Sequence, residues 1–329
     1  WLRESYKNRT SKPIGFTVTE LRPVRKPILL NCLDTLYAHC LYKLLNAQYY
    51  IDHCPDYDLI VMIQPFLGWM IPEGTAQIWS VDLPLRKGTD WNDWLASEIK
   101  NRITKYSECM FSVALPCPHP DDVNIERFAK IPAFDLSTWD QTSSSPVITY
   151  IWRDDRVWSN RQKKNVIELE QLLRKQFPKL DFAVAGVGQC TNLPDNILNL
   201  TFEKLDDNAE RKLCERYAKS HIAIGVHGSN MSLPSALAGS VIVLIGEDRY
   251  GNVIQDFLIN ETDVRSALVR YRLMPLTSSP EEITAVASSL IQKLPGIFMN
   301  FRRPWVDHQA VQKDPFLPAR RSKELRNKQ

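Results

Sequence analysis

The chain has 329 residues, of which 44% are apolar and 24% charged, and its formal net charge is +3. This length suits one large domain or two of ordinary size, and the composition excludes a disordered or fibrous protein. So small a net charge argues against a nucleic-acid partner.

The first 140 residues predict one α/β domain. An apolar run is expected over 27–31 and a helix over 33–44. Strands are expected over 57–63 and 76–83, and a second helix over 90–106. The last of these helices has Asp90 or Asn92 as its cap. Between 114 and 146 proline and serine cluster and the periodicity is lost, so we place the domain boundary at 140.

From residue 147 the pattern becomes regular. Strands are predicted over 147–153, 181–188, 196–202, 221–227 and 240–246, and helices over 162–177, 207–220, 231–239 and 281–294. This alternation is typical of a doubly wound, mostly parallel sheet with helices on both faces. The second half, 141–295, is therefore Rossmann-like by its pattern.

The cysteines give no sign of a metal knuckle. No Cys-x-x-Cys pair occurs among the seven cysteines, and an odd count fits reduced, buried thiols. Asp-Asp pairs could hold a metal beside a diphosphate, but Asp206 and Asp207 fit better as helix caps. We expect no metal site, and a metal site built on an Asp-Asp pair remains the alternative.

The strand ends of the second half are rich in polar residues and glycine. In doubly wound sheets ligands bind outside the carboxyl ends of the strands, so we expect these residues to meet at one edge. The candidates are Arg153, Arg156, Gly186, His227, Gly228, Ser229, Asn230, Glu247, Arg249 and Asn252. The last three would contact ribose or base hydroxyls.

One of these ends, "GVHGSN", favours an anion site. Gly225, Gly228 and the small Ser229 would let the backbone approach a ligand, and a helix beginning near Met231 would aim its free N–H groups there. A phosphate or diphosphate suits that geometry, with Arg153 or Arg156 as a forked cationic partner.

A plainer interpretation stays open for the same residues. Gly228 would make a tight strand-to-helix turn, with His227 as a hydrogen-bonded turn residue. Ser229 and Asn230 would cap the helix, and Arg153 would form a surface ion pair with a neighbouring aspartate.

Two stretches resemble the donor domain of glycosyltransferase family 61 (DUF563-like). They are "VITYIWRDDRVWSN" and the long segment that ends in "SHIAIGVHGSNMSLPSALAGSVIVLI". The matching positions are Gly225, His227, Gly228, Asn230, Gly239 and Ser240. The first half matches faintly through "NCLDTLYAHCLYKLLNA", which is similar to the His- and Asp-containing helix of that family's acceptor domain.

This resemblance implies a GT-B architecture, in which two Rossmann-like domains face each other across a cleft. The second domain would hold a nucleotide sugar, with a UDP-sugar expected, and the first a glycan or glycoconjugate acceptor. Transfer would be inverting and metal-independent, with no cofactor, and His227 would contact the donor. The segment 296–329 would pack back onto the first domain.

Inverting transfer also implies a general base from the first domain. Asp34 and His39 are the candidates, and on the predicted helix they would lie about 140° apart, so only one would face the cleft. Five tryptophans could either stack on sugar rings or pack in the core, and they stand at positions 69, 79, 91, 94 and 139.

The expected function is thus an inverting glycosyltransferase. The alternatives are a non-catalytic module that binds glycan or a partner, and a metal-dependent transferase that uses an Asp-Asp pair. We expect a cytoplasmic protein whose basic C-terminal tail is either a solvated, frayed terminus or a contact with an anionic membrane surface. A Golgi or ER-lumenal location is the alternative if an anchor precedes Trp1.

Overall fold

A computed structural model describes residues 2–112, 123–155, 157–258 and 264–302. The strands before residue 147 are β1 Gly15–Glu20, β2 Pro27–Asn31, β3 Asp58–Ile63, β4 Gln77–Asp82 and β5 Met110–Phe111. The α-helices before it are α1 Leu2–Lys7, α2 Tyr37–Leu45, α3 Ala47–His53, α4 Asp93–Ile103, α5 Ile125–Ala129 and α6 Trp139–Thr142.

The first sheet has the order β1-β4-β3-β2-β5. Strands β2 to β5 run parallel, and β1 pairs antiparallel with β4 at one edge. All six residues of β3 are buried, as expected for a central strand covered on both faces. The chain begins this parallel sheet at β2, winds outward to β4 and returns to β5 beside β2, so the winding reverses between β2 and β5.

The second sheet is parallel throughout and has the order β11-β10-β9-β6-β7-β8. Its strands are β6 Val147–Arg153, β7 Asp181–Val187, β8 Ile197–Phe202, β9 Ile222–Val226, β10 Ser240–Ile245 and β11 Tyr271–Pro275. Its helices are α7 Gln162–Gln176, α8 Asp207–Lys219, α9 Ser232–Leu237, α10 Val264–Arg270 and α11 Pro280–Arg302. The order is that of a doubly wound Rossmann sheet, with its switch point between β6 and β9.

Helical periodicity places the apolar faces of the second domain. Val166, Leu169 and Leu173 of α7 are buried together with Ile283 and Leu290 of α11, and the two helices cover one face of the sheet. Burying one such aliphatic side chain stabilises the fold by roughly 1.5–3 kcal/mol. Two α/β domains with largely parallel sheets confirm the predicted fold class.

The two domains pack against each other through one apolar core. Residues of α2 and of the 3-10 turn Pro65–Met70 cluster with residues of α8 and α9. The hydroxyl of Tyr42 on α2 lies 2.8 Å from Ser232 Oγ at the start of α9. Because α2 comes soon after β2, and α9 soon after β9, the carboxyl-terminal edges of the two sheets face each other.

Some predicted elements differ from the structure. The helix predicted over 33–44 begins only at Tyr37, since Asp34 binds the backbone N–H groups of the next two residues and holds them in a turn. The helix predicted over 231–239 is a 3-10 turn, Ser229–Met231, followed by the six residues of α9. The side chain of Asn92, and not that of Asp90, caps α4.

Other expectations fall partly beyond what the structure describes. The predicted segment 296–329 begins inside α11, which continues to Arg302, and residues 303–329 with the basic tail lie outside the described residues. Arg156 also lies outside them. Within the described ranges, no helix is long and apolar enough to span a bilayer.

Candidate functional site

The switch point of the second sheet brings Arg153 and Ser229 together. Arg153 ends β6 and Ser229 follows β9, and Nη1 of the arginine lies 3.4 Å from the serine Oγ. The other guanidinium nitrogens donate to Asp155 at 2.7 and 2.6 Å. Asp155 is 68% exposed, so an anionic ligand could replace it at Arg153 without opening the core.

Gly228 shapes the turn between β9 and α9. Its φ of +151° is a conformation that residues with a side chain rarely adopt. Asn230 donates to the Val226 carbonyl at 3.3 Å, and neither Ser229 nor Asn230 caps α9, so the capping interpretation is wrong. In the part of the chain that the structure describes, the buried Oδ1 of Asn230 accepts no hydrogen bond.

His227 lies in the interior at the base of this turn. Its side chain is only 4% exposed, and its backbone N–H donates to the Leu244 carbonyl at 2.9 Å, which extends the pairing of β9 with β10 by one residue. The predicted role in donor binding would therefore involve a buried imidazole. The predicted dipole contribution is small, because α9 has six residues and starts beyond the 3-10 turn.

The other glycines of this edge are required by packing. A Cβ on Gly225 would lie 2.6 Å from Met231 Sδ and 2.9 Å from Ile151 Cβ. Gly186 has a φ of +144°, and a Cβ there would overlap the Trp152 carbonyl. Gly186 thus permits the close approach of β7 to β6, and no ligand is needed to explain it.

The residues after β10 lie in the 3-10 helix Glu247–Asp256. Glu247 and Asn252 are exposed, and Arg249 Nε lies 3.2 Å from Asp248 Oδ2. Since β10 is the neighbour of β9, this helix flanks the Gly228 turn on the side away from Arg153. The structure thus brings these three residues to the predicted edge.

Among the described Asp-Asp pairs, three aspartates are engaged with protein groups, while Asp121 and Asp122 lie outside the described residues. Asp154 accepts a hydrogen bond from Trp152 Nε1 at 2.8 Å, and Asp155 pairs with Arg153. Asp206 caps α8 by accepting from the Ala209 N–H at 2.8 Å, as predicted. Among the described residues no group of three or more His, Cys, Asp and Glu side chains could hold a metal ion.

A second polar cluster lies at the switch point of the first sheet. Asp34 follows β2, and its Oδ1 lies 3.2 Å from Nδ1 of His39, while its Oδ2 accepts from Lys43 Nζ at 2.8 Å. Lys43 also donates to the Leu33 carbonyl at 2.8 Å. The expectation that Asp34 and His39 lie about 140° apart on one helix is wrong, because Asp34 precedes α2 and pairs with His39.

Burial and hydrogen bonding act in opposite directions on Asp34. Burial alone would raise the pKa of its carboxyl group, but hydrogen bonds from His39 and Lys43 and the charge of Lys43 lower that pKa below its ordinary value. The backbone N–H groups of Thr35 and Leu36 also bind Oδ1, at 2.7 and 3.2 Å. Asp34 is therefore held as a carboxylate.

The surroundings of Asp34 are tightly packed. Gly88, in the loop after β4, lies so close that a Cβ on it would overlap the Asp34 carbonyl group. Cys40 Sγ donates to Gln64 Oε1 at 3.2 Å, and burial raises the pKa of this thiol to about 12. Residues of α2 and residues that follow β2, β3 and β4 thus hold the polar cluster around Asp34 in place.

Sequence reasoning missed Lys43, Gly88 and Glu210. His39 and Lys43 stand four residues apart, and this helical spacing puts both on one face of α2, so a signal for Lys43 was present. Glu210 of α8 is buried against the first domain, where Trp69 Nε1 donates to it at 2.5 Å and the Tyr37 hydroxyl also donates. Nothing in the local pattern of α8 indicates that contact.

Most of the tryptophans considered as sugar contacts are core residues. Trp69, Trp79 and Trp139 are at most 5% exposed, and Trp94 packs at the edge of the first domain's core. Trp91 is 37% exposed, its Nε1 donates to Asp93 at 3.0 Å and its ring meets that of Tyr6 edge to face. Core packing is thus confirmed for three of the five.

The chain matches no model of a protein family and no curated protein sequence. It is similar in structure to E. coli ADP-heptose LPS heptosyltransferase II, with 12% identity, a TM-score of 0.43 and coverage of 83% of this chain and 100% of the other.

The structure of E. coli heptosyltransferase WaaC with ADP is also similar, with 10% identity and a TM-score of 0.42. The match covers 82% of this chain and 98% of the other. Spinosyn forosaminyltransferase SpnP is similar with 10% identity and a TM-score of 0.40, and the match covers 82% of this chain and 91% of the other.

Proposed function

We propose that this chain transfers a sugar from a nucleotide-sugar donor to a hydroxyl group of a glycan or glycoconjugate. The observation that carries the proposal is the placement of two different clusters at two facing switch points. The cluster at Arg153 and Gly228 suits a diphosphate, and the cluster at Asp34 and His39 suits the removal of a proton.

Arg153 supports the donor side of the proposal. A guanidinium group binds phosphate oxygens in a forked geometry, and here its present partner is an exposed aspartate that can move into water. The Gly228 turn beside it leaves no side chain between backbone and ligand. Oδ1 of Asn230, which accepts no hydrogen bond from the described residues, would accept one from a sugar hydroxyl.

Charge development during transfer explains why both clusters are needed. As the acceptor oxygen bonds to the anomeric carbon, the bond from that carbon to the diphosphate oxygen breaks and its electron pair leaves with the nucleoside diphosphate. Arg153 would stabilise that charge, and a base of the first domain would take the hydroxyl proton.

The finer features of the proposal are inverting stereochemistry, independence of metal, a UDP-sugar donor and membership of glycosyltransferase family 61. A base positioned across the cleft from the leaving group supports inversion. An arginine at the diphosphate can replace the charge that a metal would supply. The family is supported by Gly225, His227, Gly228 and Asn230 in the turn.

Donor binding is the direct test. UDP, UDP-N-acetylglucosamine, UDP-xylose and ADP would be compared in thermal unfolding; a ligand at a hundredfold excess over its Kd stabilises the native state by about 3 kcal/mol. Arg153→Ala should weaken donor binding tenfold or more, and Asp155→Asn should strengthen it by removing the competing carboxylate.

Arg127→Ala is the matched control, since Arg127 forms a comparable ion pair with Asp52 in the first domain, at 2.7 and 2.8 Å. Its donor affinity should equal that of the wild type. Absence of stabilisation by every nucleotide and nucleotide sugar would refute the proposal, and glycan binding without nucleotide binding would indicate a non-catalytic module.

A further inference from the structure

We propose that His39 is the group that takes the acceptor proton, and that Asp34 and Lys43 are positioning residues that set its tautomer and orientation. The assignment rests on the proposed sugar transfer for its chemical meaning. Its structural part, the state of the imidazole, can be measured without donor or acceptor.

The hydrogen bonds of Asp34 exclude it as the base. Its two oxygens accept from two backbone N–H groups, from His39 and from Lys43, and the side chain is about one-tenth exposed. A carboxylate that is already bound by four donors and has a lowered pKa is a weak proton acceptor. Its remaining capacity is to hold neighbouring groups in place.

Lys43 cannot take the proton either. Its side chain is 12% exposed, and its ammonium group donates both to Asp34 Oδ2 and to the Leu33 carbonyl. These two bonds fix one carboxylate oxygen of Asp34, which leaves the other oxygen for His39. Lys43 thus acts on His39 only through Asp34.

His39 has the access that the other two lack. Its side chain is 29% exposed, and in the part of the chain that the structure describes Nε2 has no hydrogen-bond partner. Because Asp34 is a carboxylate, the Nδ1 atom that faces it carries the proton, so Nε2 presents a lone pair. His39 also lies one helical turn before Tyr42, which touches Ser232 of the second domain.

The proton balance follows from this arrangement. The proton of the acceptor hydroxyl passes to His39 Nε2, the acceptor oxygen bonds to the anomeric carbon, and the diphosphate leaves with the electron pair of the broken bond. The resulting imidazolium is stabilised by the Asp34 carboxylate through Nδ1–H. It returns its proton to water when the products have left.

Nitrogen-15 NMR of the full chain tests the assignment. The His39 signals, identified by their loss in His39→Gln, should show neutral imidazole protonated at Nδ1 in the wild type. In Asp34→Asn the preference for the Nδ1-protonated tautomer should fall, because the carboxylate that accepts from Nδ1–H is gone; in Lys43→Met it should also fall, because Oδ2 of Asp34 is no longer held in place. Lys43→Arg should restore the wild-type tautomer.

Turnover provides the second readout. Once a donor has been identified by thermal shift, His39→Gln should lower kcat about 100-fold or more and leave donor binding unchanged. A wild-type imidazole protonated at Nε2, or tautomer populations that do not differ among the variants, would overturn the assignment. Failure of every donor to bind would refute the proposed sugar transfer, and the NMR result would still decide the state of His39.

Discussion

Glu210 of the second domain accepts a hydrogen bond from Trp69 Nε1 of the first domain at 2.5 Å, inside the apolar contact between them. The Tyr37 hydroxyl donates to the same carboxyl group. Burial raises the pKa of Glu210 to about 7, although both hydrogen bonds lower it. The free energy of unfolding of this protein should therefore depend on pH in the neutral range.

The direction of that response follows from proton linkage. The native state binds the Glu210 proton more tightly than the unfolded state, so this contribution to stability is complete below about pH 4.5 and is lost as pH rises through about 7. Denaturant unfolding of wild type and Glu210→Gln should show a stability difference that changes by roughly 3 kcal/mol across this window. A constant difference would contradict the buried position of the carboxyl group.

His221 should change the stability of the protein with pH in the opposite direction to Glu210. Its Nδ1 accepts from the Val147 N–H at 3.1 Å and its Nε2 lies 2.8 Å from Thr142 Oγ1, so the ring is held neutral. Burial lowers the pKa of His221 to about 4, below the ordinary value of 6.5. The unfolded state therefore binds the proton first, and stability falls as pH drops from 6.5 towards 4.

The measurement is denaturant unfolding of wild type and His221→Asn between pH 4 and 7. The advantage of the wild type over the variant should shrink by roughly 3 kcal/mol over this range. If both proteins lose stability in parallel, the loss arises from other groups.

Gly228→Ala tests the conformation of the site turn. An alanine at a φ of +151° is strained, and we expect a loss of about 1–3 kcal/mol in unfolding free energy together with loss of donor binding. Gly68→Ala is the control, because a Cβ on Gly68 would meet nothing within 4 Å. Equal stability of the two variants would mean that the turn relaxes in solution.

Trp79 and Trp91 provide a matched pair on the first domain. Trp79 is 1% exposed, so Trp79→Ala should cost about 3–5 kcal/mol of stability. Trp91→Ala should cost far less, because the ring is 37% exposed. Thermal unfolding of both variants checks the contrast, and weaker glycan binding by Trp91→Ala alone would favour the stacking interpretation for this residue.

The sequence predicted the second domain well because its signals are local. Strands such as β10 are continuous apolar runs, and the strand ends that carry Arg153, Glu247 and the Gly228 turn could be placed at one edge from alternation alone. The sequence did not predict β1 and β11. These are edge strands without a fully buried residue, and β11 has the pattern Tyr-Arg-Leu-Met-Pro, in which an arginine interrupts the apolar residues.

The candidate site shows where local reasoning stops. Asp34 was expected on a helix, yet its side chain binds the next backbone N–H groups and delays the helix to Tyr37. The pairing of Asp34 with His39 therefore depends on a turn that helical periodicity cannot reveal. Glu210 is similar, since its burial is produced by Trp69, which is 141 residues away in the chain.

The apolar contact between the domains bears on how the protein unfolds. Residues of α2 and α8 belong to one continuous cluster of buried side chains, so neither domain can separate without exposing the core of the other. We therefore expect a single cooperative transition in calorimetry, with equal van't Hoff and calorimetric enthalpies. A protein joined in this way would accommodate its substrates by small shifts of loops at the sheet edges and not by wide opening of the two halves.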